Sequence, residues 1–388
     1  MNTPGATGSG SSTDALTLSS PDAFLASVPH MLGFACDDSL VLVGLSPDGS
    51  GHASHVVLTQ RMDMPPAWYG NSELMDLTMA AAEPMKRAGS SEVIIAVFGR
   101  ETPDPTTELP STQVVDALVT AIDDSGMGVK DALYTDGISR WSYGCDNPSC
   151  CPPEGRVIPQ EVRTHVAAEF AVTGAAMAPD RSSLVDEVAP GNQDLRSAVA
   201  EHVEEAQGAV PAARSKRALE AWRDSAITDV TNVITSDQTV GADAAARALV
   251  GLGDTRVRDT VLWDVSQSPD RVTGATGGLS QLVRSAPEEH VAPAATVLAI
   301  VHWMRGDGAR ANVALDRAMA DNPEYSLGCM VRAALRSGLP PQSWKDAMSG
   351  LSRNACRYGM DAPGPASAPA PAGPAIESPS TPSTGMSL

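Results

Sequence analysis

The strongest constraint in this chain is a change of hydrophobic period at Pro159. Before it, short β-branched runs alternate with amphipathic segments. After it, the apolar positions recur at helical spacing. A chain patterned this way is expected to fold as an α/β N-terminal domain with a mixed sheet, followed by an all-α C-terminal domain of helical hairpins. Its 388 residues exceed one ordinary core, which also favours two domains with tails.

The tails are read from composition. Residues 1–13 are rich in Gly, Ser and Thr, and residues 361–388 in Pro, Ala and Ser. Both have too few large apolar groups to offset chain entropy, so both are expected to be disordered. That leaves an α/β domain over 14–159, ending in a Cys/Pro-rich junction loop, and a helical domain over 160–360.

In the first half, Ser20-Pro21 is a helix start, a hydroxyl cap before a residue with no N–H to satisfy. Phe24, Leu25 and Val28 form its apolar face, and Pro29 and Gly33 are expected to close it. Ser39–Leu45 (SLVLVGL) is the clearest strand and reads as buried on both faces. A turn over Ser46–Gly51 leads to an antiparallel partner, His55–Gln60. Asn71–Ala88 reads as a helix with Leu74, Leu77, Met79 and Ala81 inside, and Pro84 is expected to kink or shorten it. Glu92–Phe98 is a strand and Ser111–Asp124 a helix with Val114, Val115, Leu118 and Ile122 on one stripe. Lys130–Thr135 and Ile138–Tyr143 flank Asp136-Gly137, a hairpin signal. The order is β-β-α-β-α-β-β, with the helix-linked strands expected to lie parallel to their neighbours.

After Pro159 ten helices are expected: 161–177, 193–207, 212–233, 242–252, 255–265, 279–285, 293–304, 308–320, 323–337 and 341–351. Leu298, Ala299, His302, Ala311, Leu315, Ala318 and Pro323 match the register of one tetratricopeptide-like helix pair. No second copy follows, so an Ala-rich hairpin is the preferred reading.

The formal net charge is −20, with 47 acidic against 27 basic residues. Such a surface repels phosphate backbones and anionic lipid, so neither nucleic acid nor membrane is expected as a partner. The first twenty residues show no basic segment followed by an apolar core, and no run approaches the roughly eighteen apolar residues of a span. Six cysteines are too few for a disulfide scaffold, and a cytoplasmic, mostly reduced protein is expected.

The densest chemistry lies in Ser139–Gly155, SRWSYGCDNPSCCPPEG. Cys145, Cys150 and Cys151 form C-x4-C-C. A zinc site wants four ligands, usually in chelating pairs. Here Asp146 or a distant His30, His55 or His165 would have to complete the shell. No motif calls for a cofactor, and zinc at this loop is the one candidate. A Cys145–Cys150 disulfide is a further alternative, whereas a vicinal bond would be strained. The preferred reading is a rigid cap between the halves, with Pro148, Pro152 and Pro153 restricting the backbone. Trp141 and Tyr143, two apart on a strand, share a face and either cover the sheet or wall a groove, core packing being preferred.

Other candidate pocket residues are scattered. His30 with Asp37 and Asp38 leads into the central strand, a place for acid–base chemistry or simply for turn capping. His302 on an apolar stripe reads as a packed histidine. Asp180 reads as a helix cap, with Arg181 beside it as a candidate anchor of the domain interface. An anion binder using Arg140 and Arg181 is a weaker alternative. No Walker loop, dinucleotide fingerprint, H-E-x-x-H or G-x-S-x-G is present, and GLGDTR at Gly251 and TGATGG at Thr273 are placed between helices.

Four stretches carry a family resemblance: LSSPDAFLASVPHMLGFACDDSLVLVGL (18–45), WSYGCDNPSCCPPEG (141–155), APDRSSLVDEVAP (178–190) and WMRGDGARANVALDRAMADNPEYSLGCMVRAAL (303–335). Together they resemble the actinobacterial DUF4192 family, defined by a domain of unknown function. The resemblance implies an actinobacterial, cytoplasmic protein and no particular reaction. The expected function is a non-enzymatic protein-interaction or regulatory module that meets a protein partner through the helical domain. The alternative is a metal- or thiol-dependent enzyme or small-molecule binder with its site near Cys145, Cys150 and Cys151.

Overall fold

The computed structural model describes residues 20–47, 54–66, 68–172, 177–212 and 215–359. The expected disordered ends 1–13 and 361–388, and most of the turn expected over Ser46–Gly51, lie outside the described residues.

Helix α1 (Pro21–Leu32) starts as its sequence requires, with the Ser20 side chain accepting from Ala23 N–H. Pro29 sits inside this helix, and the chain stops at Gly33, whose φ of +80° is left-handed. The sheet then begins with β1 (Ser39–Pro47) and β2 (Ser54–Asp63), an antiparallel pair. Helix α2 (Asn71–Arg87) carries Pro84 in its interior without ending there. Its buried side includes Leu74, Thr78, Ala81 and Met85, whereas Met79 is 48% exposed, against expectation. Strand β3 (Glu92–Phe98), helix α3 (Thr112–Asp124) and strand β4 (Gly128–Thr135) form a β-α-β unit with β3 and β4 parallel, as expected of helix-linked strands. A hairpin leads to β5 (Ser139–Ser142), and β6 (Arg156–Val157) closes the edge.

The strand order is β2-β1-β3-β4-β5-β6. Helix-linked strands are expected to lie parallel to their neighbours, but β3, which α2 links to β2, is antiparallel to its neighbour β1, which lies between β2 and β3. The period of two in SLVLVGL decides the layers. Leu40 and Leu42 face the α2 and α3 side, while Val41 and Val43 face α1. Each such side chain contributes about 1.5–3 kcal/mol by leaving water, which holds helices on both faces of the central strand.

The helical region contains α4 (Gln160–Val172), α5 (Arg181–Val188), α6 (Gln193–Gly208), α7 (Lys216–Ile234), α8 (Ala242–Gly253) and α9 (Thr255–Ser266). It continues with α10 (Pro269–Ser285), α11 (Val291–Met304), α12 (Gly308–Asp321), α13 (Ser326–Arg336), α14 (Pro341–Ser349) and α15 (Arg353–Tyr358). Helix α10 is longer than expected and absorbs Thr273–Gly278, so that glycine-rich stretch is helical and not an interhelical loop. Gly278 explains part of its composition, since a Cβ there would stand 2.3 Å from the Val233 carbonyl oxygen of α7. Every residue of α11 except Pro293 is buried, and α8, α9, α10, α12, α13 and α14 pack around it. A helix apolar all round can only be a core helix, and no helix among the described residues is long and apolar enough to cross a membrane.

The two regions meet at the end of α1. Phe34 forms a parallel bridge with Ala178 and is buried in the helical core. Helix α4 lies beyond Pro159 yet packs on α1.

Candidate functional site

The site grows out of an imperfection at the edge of the sheet. Asp136-Gly137 turns the chain as expected, with Gly137 at φ +86° and the Asp136 carboxylate accepting from Ile138 N–H and Ser139 N–H. The returning strand is short: along β4, β5 pairs only with Leu133, Tyr134 and Thr135. On the β5 side the earlier half of β4 has no strand beside it, while β3 pairs along its whole length on the other side. There the β3–β4 register shifts, with Val93 opposite Val129 and Ile94 opposite Asp131, so Lys130 is the extra residue of a bulge. The Asp131 carboxylate turns back to accept the Ala132 N–H at 2.9 Å, and the Ser142 hydroxyl donates to it at 3.4 Å.

From Gly144 the chain leaves the sheet as the cysteine loop. The Asn147 carbonyl accepts from Cys150 N–H at 3.1 Å and from Cys151 N–H at 2.8 Å, and its side chain accepts from Ser149 N–H. These bonds fold Cys150 and Cys151 back toward Cys145. The Cys145 and Cys150 sulfurs are 3.1 Å apart, and those of Cys150 and Cys151 3.7 Å. All three sulfurs lie within 4.8 Å of one another. The loop is fastened to the sheet by Trp141, whose indole N–H donates to Pro153 O at 3.0 Å. Gly155, at φ +84°, lies against the same ring, where a Cβ would come within 2.3 Å of it.

A cavity of about 680 Å³ opens between this loop, β4, β5 and α3. Its wall includes all three cysteines, together with Asp116, Val119, Asp131 and Tyr143. Lys130 and Arg140 also border it, but Lys130 pairs with Glu92 at 3.0 Å and the buried Arg140 guanidinium pairs with Asp22 of α1. Hydrogen bonds from Cys150, the Asn147 backbone and Cys151 hold the Cys145 thiol below its ordinary value. Burial, with the neighbouring thiols, pushes Cys151 up to about 12. Cys145 is thus held more readily ionised than Cys151.

The other sequence candidates go elsewhere. His30 stacks on Phe170 of α4 at 5.0 Å, and burial lowers its pKa. Asp37 and Asp38 are exposed and face Arg100 at 4.0 and 3.2 Å, Asp38 having a left-handed φ of 42°. His165 pairs with Glu169 and His55 lies on β2, at the far edge of the sheet. Among the described residues no histidine or carboxylate joins the sulfur cluster. Trp141 is buried and edge-on to Tyr134 at 5.8 Å, as a core residue would be. Tyr143 packs on the same core, lines the cavity and donates to Pro110 O at 2.6 Å. Asp180 caps α5 as expected. Arg181 pairs with Asp316 of α12 at 3.2 Å, so it ties two helices of one region together and does not anchor the interface. Arg140 and Arg181 thus serve different carboxylates in different regions.

The residues missed by sequence reading were Lys130 and Asp131, and the cavity they border. The one available signal was the inequality of the two strands flanking Asp136-Gly137.

Fold and site together define a class: a mixed sheet layered with helices, joined to an all-helical bundle, with a three-thiol cluster at the sheet edge. The model of the family described as domain of unknown function (DUF4192) matches residues 21–342, and the chain belongs to that family. The match includes both regions and the whole cysteine loop. No curated protein and no solved structure matches the chain.

Proposed function

We propose that this protein is a ligand-binding, regulatory protein whose site is the cavity at the uncovered end of β4. One observation carries the reading: three thiols converge at the wall of a cavity of about 680 Å³. That volume is in the range of small-molecule sites, and the thiols supply soft, nucleophilic groups to it. The reading includes cytoplasmic residence, supported by six cysteines that are all free, and it does not include polyanionic partners, given a formal charge of −20.

The test is a thermal-shift screen of small cytosolic metabolites against the wild type and Val119→Trp, a substitution on a half-buried wall position of α3. A ligand at one hundred times its Kd stabilises the native state by about 2.7 kcal/mol. That stabilisation should vanish in Val119→Trp. Ligands that stabilise both proteins equally would place binding elsewhere.

A protein partner on the helical region is the second reading. It is supported by Val172, Met177 and Val185, which are 88%, 44% and 43% exposed around the start of that region. Val172→Lys with Val185→Lys should abolish recovery of a specific partner while leaving the fold intact.

A further inference from the structure

The three sulfurs are arranged like part of a metal shell. At the usual zinc–sulfur distance of about 2.3 Å, two thiolates on a tetrahedral ion stand roughly 3.8 Å apart. Here one pair is at 3.7 Å, another at 3.1 Å, and none exceeds 4.8 Å. Closing on an ion therefore needs adjustments of tenths of an ångström to about one. The loop is already ordered for this by the Asn147 carbonyl, the Trp141 indole and three prolines, so little chain entropy remains to be lost on binding.

The count of ligands is as informative as their spacing. Structural zinc sites are closed by four protein ligands, whereas sites that act on a ligand keep one position open. Only three side chains, all cysteines, make up this cluster among the described residues. The same three form part of the cavity wall, so a molecule filling the cavity reaches an ion they hold.

The charges narrow what that molecule can be. Three thiolates and a divalent ion sum to −1. Asp116 and Asp131 add negative charge to the wall, while Lys130 and Arg140 are engaged by Glu92 and Asp22. An anion would enter against this field, and a neutral donor would not.

We propose that Cys145, Cys150 and Cys151 bind one zinc-class divalent ion in an open site, and that its remaining position is taken by water or by a neutral nitrogen donor, an amine or imidazole group, of a small molecule seated in the cavity. This deepens the reading of the cavity as a ligand site and rests on it.

Cobalt(II) serves as the probe, on the full chain under reducing conditions. One ion should bind per chain, with the sulfur-to-metal absorption of a thiolate site. Each single Cys→Ser variant should weaken binding by more than about tenfold, the loss that an outer partner alone causes. Added imidazole should shift the visible bands of the wild type, and chloride or azide should not. Val119→Trp should keep the cobalt but lose the response to imidazole. Circular dichroism of the Cys→Ser variants reads folding separately. If cobalt fails to bind, or binds equally in a folded Cys145→Ser/Cys150→Ser/Cys151→Ser variant, the metal site is overturned while the cavity reading stands. If cobalt binds but imidazole leaves the bands unchanged, the open position is overturned. If Val119→Trp responds to imidazole as the wild type does, the cavity is not the route and its assignment as the ligand site fails with it.

Discussion

The sheet region and the helical region solve the same problem with different residues, and the contrast indicates where chemistry can sit. The helical region closes on itself. Alanine, valine and leucine of α8 to α13 form one continuous core around α11, and small residues such as Gly278 and Gly251 let helices approach to backbone contact. The sheet region does not close. Its last hairpin strand is too short to cover β4, and the gap is lined by Val115, Val119, Val129 and Leu133 together with two carboxylates and three thiols. A bundle can add a helix wherever an apolar stripe is left over. A sheet edge left without a strand in register exposes unpaired backbone groups unless a loop, helix or bulge covers it, and here the cysteine loop and the Lys130 bulge stand beside that stretch.

Substitutions in the two regions should therefore differ sharply in their effects. Leu298, at the centre of α11, is fully buried. Leu298→Ala should cost about 2–5 kcal/mol, read by urea denaturation, because both transfer energy and a cavity are lost. A loss below 1 kcal/mol would mean the helical core is looser than its burial indicates.

The next effect is pH dependence from the same helix. Burial pushes His302 down to about 4; nearby Asp307 and Glu187 oppose this shift, and Arg305 and Arg310 add to it. The imidazole is thus neutral in the fold and takes a proton more readily once unfolded, near pH 6.5. Stability attributable to this residue is complete above the unfolded value and is lost as pH falls from about 6.5 to about 4, by up to about 3 kcal/mol. His302→Gln should lose that part of the slope. Equal slopes in the two proteins between those values would remove His302 as the cause.

The smallest effect sharpens the comparison most. Cys145, Cys150 and Cys151 lie on an exposed or half-exposed loop. Replacing all three by serine should shift stability of the metal-free protein by no more than about 0.5 kcal/mol, because Trp141 and the Asn147 carbonyl, not the thiols, hold the loop. A loss approaching that of Leu298→Ala would make the cluster a structural staple, and the contrast between the regions would fail.

Local chemistry accounts for what could be read in the sequence. Ser20-Pro21, Asp180 and Asp136-Gly137 act within three or four residues, and each does in the structure what its residue types require. The strand SLVLVGL was legible because its burial is continuous. Met79 misled because an apolar residue at helical spacing need not find a partner, and the buried position fell to Thr78. Pro84 does not end α2, which runs on to Arg87 with the proline in its last turn. His30, Asp37 and Asp38 are close in sequence but take different partners, Phe170 for the imidazole and Arg100 for the carboxylates, and both come from distant segments.

By itself the sequence determined the two-part architecture, the helix starts and turns, and the presence of three cysteines within seven residues. These depend on short-range hydrogen bonds, on the two periodicities and on composition. Only the tertiary structure decided that β1 is inserted between β2 and β3, that Lys130 bulges, and that β5 ends early. Strand order, register and edge coverage are set by which surfaces remain to be buried once all the elements are present. Those choices made the cysteine loop, whatever its place along the chain, the wall of a cavity.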